Sequence, residues 1–224
     1  LGDVYKRQVQ INGIVNEYIH VEKPDQEAVP SRQFDISKID FDLLSREFAH
    51  TRRKNLLLRD LDELVNQQLA KMLFANPQRI DYYDRYQEII DAYNAEQNRA
   101  TIEKTFMDLM ELASSLDTEQ QRYVREGFSS DEELSVYDLL FSENLTKQEI
   151  ETIKKVSVDL LTKIKQQIAK LDHWTDKQET KAIVDNLIRN TLWQELPNSY
   201  DVSDIQTYQK KIYEYVYMRY PEVA

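Results

Sequence analysis

Apolar residues recur at helical spacing along the chain from Asp40 onward. Phe41, Leu44 and Phe48 stand at i, i+3 and i+7, a spacing that places side chains on one face of a helix. Further stripes of this kind occupy residues 57–73, 82–93, 102–112, 150–168, 183–192 and 212–220. No clear strand pattern interrupts them. The pattern therefore predicts an all-α fold, an irregular multi-helix bundle of about eight helices.

Polar residues that satisfy the free N–H groups of a first helical turn indicate where helices begin. In a capping box, a Ser or Thr hydroxyl accepts from the backbone N–H three residues on, and a Glu or Gln at that position reaches back. Four pairs have this spacing: Ser130 with Glu133, Thr146 with Glu149, Thr175 with Gln178, and Ser203 with Gln206. Each pair predicts the start of a helix.

Proline and glycine indicate where helices end. Asn76-Pro77 closes a helix predicted over residues 56–74, because a residue before proline is steered out of the α region. The next helix is predicted over residues 79–96. Gly127 is predicted to adopt the left-handed conformation at the end of a separate helix over residues 118–126.

The N-terminal part of the chain has a different character. Residues 9–40 lack a convincing period and contain Asn12-Gly13, Pro24 and Pro30, so we predict an extended N-terminal arm or linker. Residues 1–8 match nothing that follows, and we interpret them as a translated adapter scar. On this interpretation the chain is the tail of a longer protein, with a helical domain over residues 41–224.

Composition narrows the function classes. Three Gly and five Pro in 224 residues favour helices and exclude glycine-lined phosphate loops. The absence of cysteine excludes disulfides and thiolate chemistry and fits a cytoplasmic location. No apolar run reaches the ~18 residues of a membrane span, so no membrane partner is expected. A net charge of −11 argues against autonomous DNA binding, because most DNA binders present a basic balance or face.

One pair of residues has the spacing of a metal site. Glu47 and His50 stand at i, i+3, as in di-iron helical bundles, but those bundles need a second copy and further carboxylates. Glu17 and His20 repeat this spacing but lie in the predicted arm, and His173 has no acidic residue three positions before it. We therefore interpret His50 as a residue on a polar helix edge and expect no metal ligands.

Two short segments match the letters of a metal-dependent nuclease motif. Pro24-Asp25 and Glu179-Thr180-Lys181 contain the carboxylates and the lysine that such enzymes place around Mg²⁺. Glu179 is predicted on a helix, where the nuclease fold needs a strand. We interpret these residues as solvated charges and assign no catalytic residue.

The densest basic cluster is Arg52, Arg53 and Lys54, just before the long helix predicted over residues 56–74. We treat these three residues as a candidate contact for DNA or for an acidic partner. An ordinary solvated helix junction is the alternative.

Aromatic residues are the last candidates for a binding role. Tyr82, Tyr83, Tyr86, Tyr93, Trp174 and Trp193 could in principle stack on bases. Their helical spacing instead predicts core packing, with partner interfaces as the exception.

Several short segments, taken in order, resemble a known family. They are FDISKIDF (34–41), NPQRIDYYDRYQEIIDAYN (76–94), RATIE (99–103), RYVREG (122–127), ELSVYDLL (133–140), LTKQE (145–149), IKK (153–155), WTDK (174–177) and YP (220–221). Over residues 9–224 the chain resembles the C-terminal helical region of the R (restriction) subunit of type I restriction–modification enzymes.

This resemblance implies that the parent protein is an ATP-dependent type I site-specific deoxyribonuclease, active in DNA restriction and host defence. ATP and Mg²⁺ would bind in its upstream nuclease and motor domains, so this chain would hold no cofactor and would not be an enzyme by itself. The C-terminal region would support the motor and dock it on the methyltransferase core through the modification (M) subunit. Its contact with DNA would be weak or indirect.

A second interpretation stays open on physical grounds. An acidic, glycine-poor helical domain of this size also suits a freestanding adaptor, unrelated to restriction, that binds a partner protein.

Overall fold

The computed structural model of the protein describes residues 39–96 and 98–221. These residues contain nine α-helices and no strand, which confirms the all-α prediction. The predicted scar and nearly all of the predicted arm lie outside the described residues. The helices are α1 Phe41–His50, α2 Lys54–Ala75, α3 Ile80–Ala95, α4 Arg99–Gln120, α5 Arg122–Arg125, α6 Asp131–Leu140, α7 Lys147–Ile168, α8 Gln178–Glu195 and α9 Val202–Arg219. A 3₁₀ turn, Pro77–Arg79, precedes α3.

The chain divides into two compact units, with the boundary between Arg122 and Tyr123. The helical region predicted as one domain therefore contains two packing units. No pattern in the sequence had indicated this division.

In the first unit, α4 packs against both α2 and α3. Phe48 of α1 stacks on Phe106 of α4, with ring centroids 3.6 Å apart and planes 7° from parallel. The core is built from one face of each helix, as amphipathic helices require. Its buried residues from the three long helices are Leu58, Leu61, Leu64, Val65, Leu69, Met72, Tyr86, Ile89, Phe106, Leu109, Met110, Leu112, Ala113 and Leu116.

In the second unit, α7 packs between α6 and α8, and α9 packs on α8 and α6. The predicted stripe of α7 is confirmed, since Ile153, Val156, Leu160, Leu161, Ile164 and Ile168 are all buried. Trp174 lies in the segment that connects α7 to α8, and its side chain is buried. Its indole N–H donates to the carbonyl of Tyr220 at 2.6 Å. This bond fixes the end of α9 to the core.

Two core positions on the last helices differ from the prediction. Ile183 is exposed and Val184 is buried in its place, because Val184, Ile188 and Leu192 form the inward i, i+4, i+8 row of α8. On α9, Tyr217 is exposed and Tyr215 is buried.

Two of the four predicted helix starts are confirmed. The Thr146 hydroxyl accepts from the N–H of Glu149 at 3.3 Å, and the Glu149 carboxylate accepts from the N–H of Thr146 at 2.8 Å. Ser130 caps α6 in the same way, although Glu133 reaches back to the N–H of Ser129.

The other two pairs form no capping box, although α8 and α9 begin within two residues of the predicted starts. Lys177 precedes α8 without a capping side chain, and the Thr175 hydroxyl instead donates to the carbonyl of Pro221 at 3.4 Å. α9 begins after Asp201, which forms a reciprocal pair with Asp204. Aspartate caps a helix as well as a hydroxyl does, so Asp201 takes the position expected for Ser203.

Gly127 has φ +83°, as predicted, and closes the short helix α5. The N–H of Phe128 donates to the carbonyl of Tyr123 at 2.8 Å, and the N–H of Gly127 donates to that of Val124 at 3.1 Å. This pair of bonds is a Schellman motif. The separate helix predicted over residues 118–126 is wrong, because the buried face of α4 continues through Glu119.

Glu119 is a buried carboxylate held by two guanidinium groups. Its Oε1 lies 3.0 Å from Nε of Arg79 and 3.2 Å from Nη1 of Arg122. The side chains of Arg79 and Glu119 are only 4% and 8% exposed. Burial, followed by the negative charge of Glu119, raises the pKa of the neighbouring Tyr82 hydroxyl. Glu119 therefore joins the end of α4 to the start of α3.

Glu132 has a comparable role in the second unit. It accepts a hydrogen bond from Lys165 of α7 and lies 3.7 Å from the guanidinium of Arg219 at the end of α9. Burial raises the pKa of Glu132, but the bonds and charges of Lys165, Tyr220 and Arg219 outweigh burial and lower it. The ionised carboxylate thus connects three helices.

We expect Glu119→Gln to lower the free energy of unfolding by about 3 kcal/mol, because it removes a buried carboxylate charge that is paired with the buried Arg79 guanidinium. Glu111→Gln, on the same helix, breaks the exposed pair with Arg85 and should cost less than about 1 kcal/mol. Urea unfolding followed by circular dichroism measures both. Equal losses would contradict the structural role of Glu119.

We expect Glu132→Gln to cost about 1 kcal/mol at neutral pH, a value kept small by partial exposure to solvent. Because folding lowers the pKa of Glu132, its stabilisation is present above the ordinary value of 4.5 and is lost as the pH falls through the folded-state pKa. The difference between wild type and variant should therefore shrink in acid.

The matched control is Glu151→Gln, an exposed residue of α7. It removes the same charge and should leave the pH profile of urea unfolding unchanged. A Glu132→Gln defect that stays unchanged after the pH has fallen through the lowered folded-state pKa of Glu132 would show that the carboxylate charge is not its cause.

Candidate functional site

The connection between α1 and α2 consists of Thr51, Arg52 and Arg53. The N–H of Thr51 donates to the carbonyl of Glu47 at 2.9 Å, and the N–H of Arg53 donates to the Thr51 hydroxyl at 3.1 Å. These bonds shape a short turn that leaves both arginine side chains exposed. Neither has an ion-pair partner among residues 39–96 and 98–221.

An open depression of about 570 Å³ lies beside this connection. It is lined by Thr51, Arg52, Arg53, Lys54, Asn55 and Leu56, and by Arg99. Arg99 is the first residue of α4 and its side chain is 85% exposed. None of the lining residues is acidic. Arg99 was missed by the sequence analysis, since no local pattern connects it with Arg52.

Lys54 differs from its two basic neighbours. Its ammonium lies 2.6 Å from Oε1 of Glu103 and 4.9 Å from the ring centroid of Phe48, and its side chain is 20% exposed. The hydrogen bonds from Lys54, and then from Arg99, lower the pKa of the Glu103 carboxyl. Lys54 therefore connects α2 to α4, whereas Arg52 and Arg53 form no ion pair with any carboxylate in the described part of the chain.

The start of α2 adds to the positive character of the depression. No side chain caps this helix, and its first turn contains no acidic residue. The first N–H groups of a helix lack intrahelical acceptors and carry the positive end of the helix dipole. The depression therefore combines this helix end with three arginines.

The structure places the Glu47–His50 pair at the exposed end of α1. Nδ1 of His50 lies 2.8 Å from the carbonyl of Arg46. Within the described residues, no group of three or more His, Cys, Asp or Glu side chains could hold a metal ion. His173 lies in a turn with φ 46° and is exposed.

The nuclease-like residues Glu179-Thr180-Lys181 lie in the first turn of α8. Thr180 donates to the carbonyl of Trp174 at 2.8 Å, and the Lys181 ammonium lies 5.6 Å from the ring centroid of Tyr217. Glu179 is exposed. Pro24-Asp25 lies outside the described residues. The helical geometry of Glu179 is the one predicted.

Most of the candidate aromatic residues pack in the cores, as expected. Tyr86 is buried, and its hydroxyl donates to Asp62 at 2.7 Å while it accepts from Asn66. Burial raises the pKa of Asp62, and the bond from Tyr86 offsets part of this rise. Asp62, Tyr93 and Thr105 also line a cleft of about 340 Å³. Its lining contains no cysteine or histidine.

Trp193 is the exception among these aromatic residues. It lies on α8 next to the buried Leu192, and its side chain is 49% exposed. Phe141, Ile183, Val202 and Tyr217 are further exposed apolar residues of the second unit. An open groove of about 470 Å³, lined by residues including Lys181, Asp185, Lys210 and Tyr213, runs along α8 and α9.

Among the described residues, no helix combines the length and the apolar character needed to cross a bilayer. A family model described as "Type I restriction enzyme HindI endonuclease subunit-like, C-terminal" matches residues 6–220. No curated protein and no solved structure matches the chain significantly. The match covers both packing units.

Proposed function

The chain belongs to the family of type I restriction enzyme HindI endonuclease subunit-like C-terminal regions, and we propose that it is the non-catalytic helical part of the R subunit. In this role it supports the ATP-dependent motor that moves DNA, and it docks the motor on the methyltransferase core in the cytoplasm. Its proposed partners are the M subunit and the upstream motor domains. In this proposal the nuclease centre, ATP and Mg²⁺ belong to those upstream domains.

The surroundings of the buried carboxylates support a non-catalytic role. Perturbed carboxylates often indicate active sites. Here Asp62 accepts from Tyr86, and Glu132 is paired with Lys165. Each perturbed group thus has a partner that explains it within the packing of helices.

The observation that carries the docking proposal is the exposure of Trp193. A half-exposed tryptophan on a helix whose neighbouring row is fully buried contributes little to its own core. Tryptophan is enriched among the residues that dominate binding energy at protein interfaces. We therefore assign the α8 surface around Trp193 to the contact with the M subunit.

Family membership also favours this function over the alternative adaptor unrelated to restriction. In both cases the chain would bind a protein, so partner identity separates them. The matching methyltransferase core should bind the chain, and an unrelated methyltransferase should not.

We expect Trp193→Ala to weaken binding of the chain to its methyltransferase core by about 30-fold, because truncating a central interface tryptophan costs about 2 kcal/mol or more. Titration calorimetry with the purified core of M and S subunits measures the affinity. Met107→Ala, which truncates an exposed apolar residue of the first unit, is the matched control and should bind normally.

Two results would contradict the proposal. If the wild-type chain fails to bind the core, the docking role is wrong. If the pure chain hydrolyses ATP, and the activity survives purification controls, the non-catalytic assignment is wrong.

A further inference from the structure

We propose that Arg52, Arg53 and Arg99 form a binding site for the phosphate backbone of duplex DNA on the first packing unit. These arginines belong to the first unit, whereas Trp193 belongs to the second. It extends the sequence prediction by adding Arg99 and by removing Lys54 from the contact set. It rests on family membership in a DNA-restriction system and not on the docking proposal.

The charge balance of the depression is the first argument. Four basic side chains line it, and the nearest ion-paired carboxylate, Glu103, bonds to Lys54 and Arg99. The remaining positive charge is local, since the chain as a whole carries a net charge of −11. A positive island on an acidic protein can bind a polyanion while the surrounding surface repels it elsewhere.

The kind of basic side chain is the second argument. Arginine presents a planar fork of donors that matches two phosphate oxygens, whereas lysine is a single point charge. Arg52 and Arg53 have no ion-pair partner within the described residues, and Arg99 shares Glu103 with Lys54. All three guanidinium groups can therefore turn to a ligand without breaking a buried ion pair.

The shape of the depression selects among phosphate-bearing ligands. It is open to solvent and is lined on two sides by separate elements, the 51–56 segment and the start of α4. Its lining includes no aromatic or carboxylate side chain, and Asn55 supplies its one side-chain amide. An extended backbone with repeated phosphates fits such a surface better than a free nucleotide does.

An acidic protein face is the competing ligand. It would also be attracted by the charge, but protein interfaces depend on buried aromatic or aliphatic anchors. Leu56 is the one exposed large apolar side chain in this lining. The chemistry of the depression therefore favours phosphate contacts, which are sequence-independent and sensitive to salt.

The test measures affinity of the full chain for a mixed-sequence DNA duplex by fluorescence anisotropy across a range of salt concentrations. We expect Arg52→Gln/Arg53→Gln/Arg99→Gln to bind at least tenfold more weakly at low salt. The slope of log affinity against log salt should fall by about 0.9 for each lost phosphate contact.

The matched control is Arg46→Gln/Arg59→Gln/Arg85→Gln. It removes three exposed arginines from the same unit and makes the same change in net charge. It should keep the wild-type salt slope. Circular dichroism melting checks that both triple variants are folded, and Arg52→Gln/Arg53→Gln is measured as well in case the triple variant is unstable.

Three results would overturn the proposal. Wild-type chain that binds no duplex at low salt would exclude the site. Equal losses of DNA affinity in the two triple variants would show that binding depends on the net charge of the protein and not on this site. If the Arg52/Arg53/Arg99 variant binds DNA normally but no longer binds the methyltransferase core, the depression is a contact for an acidic protein. In every case the Trp193→Ala result is read separately, because it uses another ligand and another unit.

Discussion

Burial of the apolar face of one long helix is the interaction on which each packing unit depends. In the first unit α4 supplies that face to α2 and α3, and in the second α7 supplies it to α6 and α8. An amphipathic helix of this length is marginal alone and gains its stability from such packing. Buried or half-buried ion pairs then hold particular helix ends together. Glu119 lies in the last turn of α4, where it pairs with Arg79, and Glu132 lies in the first turn of α6, where it pairs with Lys165.

The same constraint explains which side chains remain for function. Residues on the buried rows are fixed by packing, and the polar groups next to them are used in capping and in ion pairs. Within the described residues, Trp193, Arg52 and Arg53 are exposed and belong to none of these buried rows and ion pairs. Trp193 belongs to the second unit, and Arg52 and Arg53 belong to the first.

Much of the fold could be predicted from the sequence because helical periodicity is a local signal. The stripe of α7 and the left-handed Gly127 were predicted residue by residue. The sequence patterns failed where another residue could cap the helix equally well, as Asp201 does in place of Ser203. They also failed where the buried row of a helix lay one position away, as with Val184 in place of Ile183. For the candidate site, adjacency in the chain indicated Arg52 and Arg53, but only packing could show that α4 brings Arg99 beside them.

The two tryptophans give the protein an uneven set of optical reporters. Trp174 is buried and bonded to a carbonyl, whereas Trp193 is half exposed, and both lie in the second unit. The chain contains two tryptophans in all, so its indole fluorescence reports the unfolding of the second unit and does not report that of the first. Far-ultraviolet dichroism, in contrast, records helices from both. Coincident midpoints by the two methods would mean that the units lose their structure cooperatively, and separated midpoints would give the difference in their stabilities.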